Sequence, residues 1–295
     1  MKLALFDDYR VGLVEGDRVY DVTPAVPGAE AGAPGTFVNA LIARWDELAP
    51  RLAEEKERAR AIALDAVKLL PPSPAPLQIF AAPANYRKHI AEMGALSVTP
   101  KGKTAREMGC FLKSPASLTN SGRGIELPRG SARRFDHESE LAVVIGRRAR
   151  NVRRAEALAY VFGYACLVDV TMRIEPEGRA EERSMRKSFE TFTPLGPWIV
   201  TADELGDPSA LRNELFVNGE RRQSATTADM IVGIPELIEL VSSVVTLHPG
   251  DVIATGTPEG IGPIRPGDEV AIRIERVGEM RLAVRETDEP AAFGY

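Results

Sequence analysis

Apolar residues in the first 24 positions fall in short runs, KLALF, VGLV and RVYDVT, with the turn Glu15-Gly16-Asp17 between the second and third. Runs of this length bounded by turn residues predict a small antiparallel meander. After a Gly/Pro/Ala-rich stretch at 25–36 the period changes. From about Phe37 to Leu70 apolar residues recur at helical spacing while EEKERAR carries charge on the other face, which predicts one or two surface helices. The run PPSPAP at 71–76 fixes extended backbone and blocks both helix and central strand. A boundary is expected there, between a small N-terminal α/β domain over 1–70 and a larger domain over 77–290.

From Ile79 onward the pattern is one of short apolar runs between turn residues: IFAA, CFLK, ELAVVIG, YVFGYACLVDV, PWIV, LFVNGE, VIAT and EVAIRIE. Many strands with few helices between them predict a β-rich α+β domain rather than a doubly wound parallel sheet. The clear helix is IPELIELVSSVVTL at 234–247, with Ile234, Leu237, Ile238, Val241 and Val244 on one face. Pro-Gly-Asp turns at 249–251 and 266–268 each precede a strand.

Composition narrows the class. The 295 residues suit about two domains. With 44% hydrophobic and 27% charged residues the chain belongs with folded globular proteins, and 25 Gly plus 22 Pro argue against a helical bundle. A net charge of -5 makes nucleic acid an unfavourable partner. The densest basic run, Arg147, Arg148, Arg150, Arg153 and Arg154, has no interleaved aromatic residue and reads as solvated surface. Cys110 and Cys166 stand far apart, so neither a disulfide scaffold nor a cysteine zinc site is expected. MKLALFDDYR lacks a signal-peptide core, and no apolar run is long enough to span a membrane. A cytoplasmic protein without a membrane partner is the expectation.

The most informative segment is DHESELAVVIG, 136–146. On a strand Glu138 and Glu140 point to one face, with Cβ atoms about 7 Å apart. Two carboxylates entering a strand that is apolar on both faces need a cation or hydrogen bonds, and a pair of hard oxygen donors suits Mg²⁺, Mn²⁺ or Ca²⁺. Taken alone, the pair is better accounted for by a strand end emerging into solvent beside Arg133 or Arg134. Asp169 ends the long apolar run YVFGYACLVDV and offers a third ligand, or else a cap at a strand-to-helix junction. Three carboxylates would leave coordination positions for water or substrate oxygens.

His89 and Glu92 in NYRKHIAEMG are three apart, so on a helix the carboxylate can orient the imidazole as a general base; an exposed polar pair is the plain alternative. His137 alternates to the face opposite the two glutamates, and His248 precedes a Pro-Gly turn. Lys187, in MRKSFETFTPLGPW, could meet a developing oxyanion or be one surface lysine. The glycines of Gly256-Thr257-Pro258-Glu259-Gly260-Ile261-Gly262 let backbone N–H groups approach a ligand, or simply close a hairpin. The segment does not match a phosphate loop, lacking the Lys-Ser/Thr pair.

Taken in order, NYxxHxxE, FLKxP, ExELAVVIG, GYxxxxDxTxR, KSFxxFxPLGPW, VNGExRQ and GTPxGIG resemble the fumarylacetoacetate hydrolase family over about residues 77–285. The resemblance implies a mixed β-sandwich roll, usually in a homodimer. It implies Mg²⁺ or Mn²⁺ on Glu138, Glu140 and Asp169, and a His89–Glu92 dyad on a lid. It makes Lys187 catalytic and puts substrate contacts at Tyr86, Arg173, Gly256 and Thr257. The segment from Met93 to Cys110 is longer than the lid of compact members.

The activity this implies is metal-dependent hydrolysis of a carbon–carbon bond in an acylpyruvate-type 1,3-dicarbonyl acid, with fumarylpyruvate, maleylpyruvate, acetylpyruvate and fumarylacetoacetate all candidates. The same site could instead decarboxylate oxaloacetate or isomerise a 2-hydroxy-diene-dioate. A non-catalytic oxo-acid or metal binding protein is the reading from another class.

Overall fold

A computed structural model describes residues 1–29, 35–93, 103–174 and 182–290. The meander is present as β1 (Lys2–Phe6), β2 (Arg10–Glu15) and β3 (Arg18–Asp21), antiparallel with Leu3 opposite Leu13 and Leu13 opposite Tyr20. Two helices follow, α1 (Phe37–Ala43) and α2 (Trp45–Arg58), which bury Val38, Leu41, Ile42, Leu48 and Leu52. Helix ends twelve residues before Leu70, sooner than the apolar spacing predicts. Instead β4 (Ala61–Ala63) pairs with β3, and β5 (Leu69–Leu70) pairs with β1. Open strand edges carry unpaired backbone donors and acceptors, and satisfying them outweighs a weak helical period.

The larger part begins with β6 (Ile79–Ala81), α3 (Arg87–Met93), α4 (Ala105–Met108) and β7 (Phe111–Lys113). Next come β8 (Leu118–Thr119), β9 (Ile125–Arg129), β10 (Phe135–His137), β11 (Ser139–Ile145), β12 (Val161–Val168) and β13 (Thr171–Met172). After α5 (Arg183–Arg186) the chain forms β14 (Thr193–Thr201), α6 (Ala202–Leu205), β15 (Arg212–Val217), β16 (Glu220–Thr226) and α7 (Ile234–Val244). It ends in β17 (Val252–Ala254), β18 (Gly262–Pro263), β19 (Glu269–Ile274) and β20 (Gly278–Pro290). The expected β-rich α+β class holds.

Two details differ from the sequence pattern. LFVNGE is a hairpin rather than one strand: β15 and β16 are joined by Asn218 and Gly219, both at positive φ (51° and 79°), as a tight turn between twisted strands requires. Helix α7 stops at Val244, whose side chain is exposed, so the buried face is Ile234, Leu237, Ile238 and Val241.

The main sheet has twelve strands in the order β4-β3-β2-β1-β14-β12-β11-β17-β6-β7, with β5 beside β1 and β8 beside β14. A five-stranded sheet, β16-β15-β19-β20-β9, and a three-stranded one, β13-β10-β18, complete the architecture. Strand β11 is buried on both faces, as its apolar run predicts. Leu141, Val143 and Ile145 pack with α7 and the five-stranded sheet, while Ala142 and Val144 join Leu3, Leu5, Leu48 and Leu52 from the N-terminal region.

That second cluster bears on the division at 71–76. Strand β1 pairs antiparallel with β14, placing Lys2 opposite Val200 and Leu3 opposite Ile199, so one sheet and one core run across the proline stretch. Ser73 in that stretch donates a buried hydrogen bond of 2.7 Å to the Gly250 carbonyl. The prolines redirect the chain between elements that share a core.

Candidate active site

Two antiparallel neighbours deliver the carboxylates. The pairing of β11 with β12 puts Ser139 opposite Val168, and the Asp169 amide donates to the Glu138 carbonyl at 2.8 Å, so Asp169 leaves one strand beside the point where Glu138 enters the other. Glu138, Glu140 and Asp169, all buried, each offer a carboxylate oxygen, and these lie within 4.8 Å of one another. The two-residue side-chain period of the strand does the rest for Glu140.

The charges around them are specific. Lys187 Nζ donates to Glu138 at 2.8 Å, to Asp169 at 2.6 Å and to the Thr171 hydroxyl at 2.6 Å. Arg173 donates from Nε to Asp136 and from Nη2 to Glu138, both at 2.6 Å, and Arg134 pairs with the other oxygen of Asp136. Neither Arg133 nor Arg134 therefore answers the two glutamates, and Asp169 is no helix cap. Burial opposes ionisation of Glu138, but Lys187, Arg173 and His89 outweigh it and hold its carboxyl well below the usual range.

Glu140 is the exception. It has no ion pair among the described residues, and the Gly256 amide donates to it at 2.6 Å. Burial, together with the carboxylates of Asp169 and Glu138, holds its carboxyl well above the usual range. A buried carboxylate crowded by two others and lacking a cation is the donor set a divalent metal would complete, and all-oxygen ligands suit a hard ion. Glu138, Glu140 and Asp169 fit that group.

Lys113 carries no sequence prediction and is the residue the pattern missed. Its side chain is fully buried; Nζ donates to Asp169 and to the Lys187 carbonyl, each at 2.5 Å, and to the Phe192 carbonyl at 3.1 Å. Burial pushes its ammonium pKa down, with Asp169 acting against that. The signal available was a lysine ending the apolar strand FLK, where a cation is rarely buried without a partner.

His89 lies on α3 with Nδ1 3.5 Å from Glu92. Glu92 accepts the Gly260 amide at 3.0 Å, and although burial opposes it, the nearby His89 imidazole and the Gly260 hydrogen bond keep its carboxyl below the usual range. Lys88 also meets Glu259 at 3.4 Å, so α3 is docked on the glycine-rich loop. His89, Glu92, Arg173, Lys187 and Thr257 all line one cavity of about 490 Å³, together with the three carboxylates. Of the long lid segment, residues 94–102 lie outside the described residues; Ala105–Met108 is a helix capped by Thr104 and anchored by Arg106 on Glu236.

Two expected contacts are placed elsewhere. Tyr86 is buried and does not line the cavity; its hydroxyl has no partner, and its backbone bridges to Met230. The Gly256 amide is taken by Glu140 rather than offered to a ligand. Glycine is still required there: φ is +92°, and a Cβ would stand 2.7 Å from Asn85 Cβ. Lys187 likewise is no lone surface lysine, since three oxygens hold its ammonium. His137 bonds Gln223 in the interior, outside the cavity.

The fumarylacetoacetate hydrolase C-terminal family model matches residues 78–285, the span that holds every residue of this cavity. The chain belongs to the fumarylacetoacetate hydrolase family. Among members, it is 46% identical to a maleylpyruvate hydrolase of Aquipseudomonas alcaligenes, over 97% of this chain and 99% of that one. It is 38% identical to an oxaloacetate tautomerase of Bacillus subtilis, covering 74% of this chain and 73% of the relative. A crystal structure of maleylpyruvate hydrolase from Sphingobium sp. SYK-6 with manganese(II) and pyruvate superposes with a TM-score of 0.85 at 38% identity, covering 98% of this chain and all of the other. The likeness to both maleylpyruvate hydrolases runs nearly end to end and so includes the N-terminal region that the family model does not match.

Proposed function

We propose that this protein hydrolyses the carbon–carbon bond of an acylpyruvate, with maleylpyruvate the leading candidate. The observation that carries the reading is the buried Glu138, Glu140 and Asp169 cluster sharing a cavity with the His89–Glu92 pair. The end-to-end likeness to a maleylpyruvate hydrolase supports the choice of acid.

Glu138, Glu140 and Asp169 would hold Mg²⁺ or Mn²⁺, with Ca²⁺ a third candidate. Bound there, a divalent cation supplies Lewis acidity toward the oxo-acid oxygens. The remaining work falls to the chain. His89 takes a proton from water, with Glu92 fixing the ring through Nδ1. The water oxygen bonds to the acyl carbonyl carbon; the bond from that carbon to the pyruvyl methylene breaks, and its electron pair passes to the methylene, which takes up the proton that His89 removed from water. Thr257, on the cavity wall, offers a hydroxyl to the developing oxyanion, and Lys187 holds Glu138 and Asp169 in place.

The test is turnover of maleylpyruvate, fumarylpyruvate and acetylpyruvate with Mg²⁺ or Mn²⁺, with products identified by mass spectrometry. Pyruvate plus the matching carboxylic acid is the expected result. Tautomerisation or decarboxylation of oxaloacetate without hydrolysis of any acylpyruvate would replace this reading by the one the tautomerase relative represents.

Two further elements belong to the same proposal. A homodimer is its working assembly, to be tested by sedimentation. A cytoplasmic setting agrees with two free cysteines, whose thiols burial pushes up to about 12. No described helix is long and apolar enough to cross a membrane.

A further inference from the structure

Arg186 is not needed by any step above, and its surroundings are unusual. It is 4% exposed, lies at the C-terminal end of α5, and lines the same cavity. Its Nε has no partner, Nη1 makes one long bond of 3.3 Å to the Met172 carbonyl, and no carboxylate of the described residues pairs with it. A guanidinium has five N–H donors and stays charged, so a buried one left with a single long bond is costly unless something fills the vacant positions.

The other cations beside the carboxylates are accounted for. Lys187 and Lys113 hold Asp169, Lys187 and Arg173 hold Glu138, and Arg173 and Arg134 hold Asp136. Arg186 directly precedes Lys187 in the chain, so its guanidinium lies within a side chain's reach of the cluster, against Met172 rather than on the acids. Arg183, one turn earlier, lines the same wall with its guanidinium over the Phe111 ring. The cavity thus has an acidic centre and, off to one side, a basic wall holding an under-bonded planar cation. An arginine in that state is matched in shape and charge to a carboxylate.

We infer that Arg186 is a specificity-determining residue that receives a second carboxylate, at the acyl end of the substrate, and so selects dicarboxylic acylpyruvates over neutral-tailed ones. The inference rests on the hydrolase reading, in which the pyruvyl end of the substrate is at the acidic cluster. It adds what the far end must carry. A hydrogen-bonded charge pair of this kind contributes about 1.5–3 kcal/mol, or roughly 10–150-fold in selectivity.

The experiment compares kcat/KM for maleylpyruvate and acetylpyruvate in wild type, Arg186→Gln and Arg186→Lys, with circular dichroism to confirm folding. The expected result is a fall of about 100-fold in the maleylpyruvate-to-acetylpyruvate ratio for Arg186→Gln, with part of the ratio restored in Arg186→Lys. A purely structural role would lower both substrates together, and an unchanged ratio overturns the inference. Calorimetric titration of the metal-free protein with maleate, the acyl-end product, is the second readout. Binding weakened at least tenfold in Arg186→Gln supports the assignment, and equal affinity, or no binding to wild type, overturns it. If wild type cleaves neither acylpyruvate, the hydrolase reading fails while the maleate titration still decides whether Arg186 receives a carboxylate.

Discussion

Replacing Glu140 by Gln should make the metal-free protein more stable while removing its response to metal. Glu140 lies within 4.8 Å of the oxygens of Glu138 and Asp169 and has one hydrogen bond, from the Gly256 amide. Two carboxylates about 5 Å apart repel by about 3 kcal/mol at an effective dielectric near 20. Lys187, whose charge favours ionised Glu140, offsets part of the two repulsions. A net relief of about 1–3 kcal/mol remains when the charge is removed. Glutamine keeps the carbonyl oxygen that accepts the Gly256 amide, so little packing is lost.

Thermal melting in chelator should therefore place Glu140→Gln above wild type by about 2–6 °C, at roughly 2 °C per kcal/mol for a chain of this size. Added Mg²⁺ or Mn²⁺ should invert the order. Wild type gains about 2.7 kcal/mol when the free metal stands at about 100 times its Kd. The variant, lacking one of three ligands, gains far less. A variant that melts below wild type in chelator would mean that Glu140 is already compensated in the folded protein, and an equal response of both proteins to metal would remove Glu140 from the ligand set.

Three other outcomes follow from the same geometry. His89→Ala should lower kcat on acylpyruvates by about 10²–10⁴-fold while calorimetry shows unchanged metal affinity, because His89 faces Glu92 and makes no bond to the carboxylate cluster. Lys113→Met should cost about 3–5 kcal/mol in urea unfolding, since it leaves Asp169 one cation short and the buried Lys187 carbonyl without its donor; a loss under 1 kcal/mol would show that the lysine is dispensable to the cluster. Gly256→Ala should weaken metal binding without touching a ligand, because the added methyl would meet Asn85 Cβ at 2.7 Å and move the amide that holds Glu140, and calorimetry against wild type reads the effect directly.

The parts of the fold legible in the sequence were those with a strong period or a strong turn. The two-faced apolar run at 141–145 announced a buried strand, and the three N-terminal strands announced a meander. What stayed hidden was which elements share a core. Nothing in KLALF says that Leu3 will lie opposite Ile199, because pairing partners nearly two hundred residues apart leave no local trace. Residues 59–70 misled for a related reason: their apolar spacing permits a helix, and the open edges of the meander decide otherwise.

The site divides along the same line, and the division explains the charge. Acids at the ends of apolar strands are conspicuous, so Glu138, Glu140 and Asp169 stood out, and a divalent metal alone would have been a sufficient account of their neutralisation. The structure gives two of them buried cations of their own, from Lys113 in β7, Arg173 after β13 and Lys187 after α5, segments that only the folded topology brings together. A lone basic residue in a mixed stretch has no periodic signature, so none of these pairings could be read in advance. The charge of a divalent cation held there would then be needed chiefly at Glu140, and much of it would be left to attract an anion. If Glu138, Glu140 and Asp169 hold a divalent cation, a site whose acids are otherwise near balance and whose wall keeps Arg186 under-bonded would draw in a substrate with more than one negative charge. The net charge of -5 is a sum over the whole chain and says nothing against an anionic ligand at this one site.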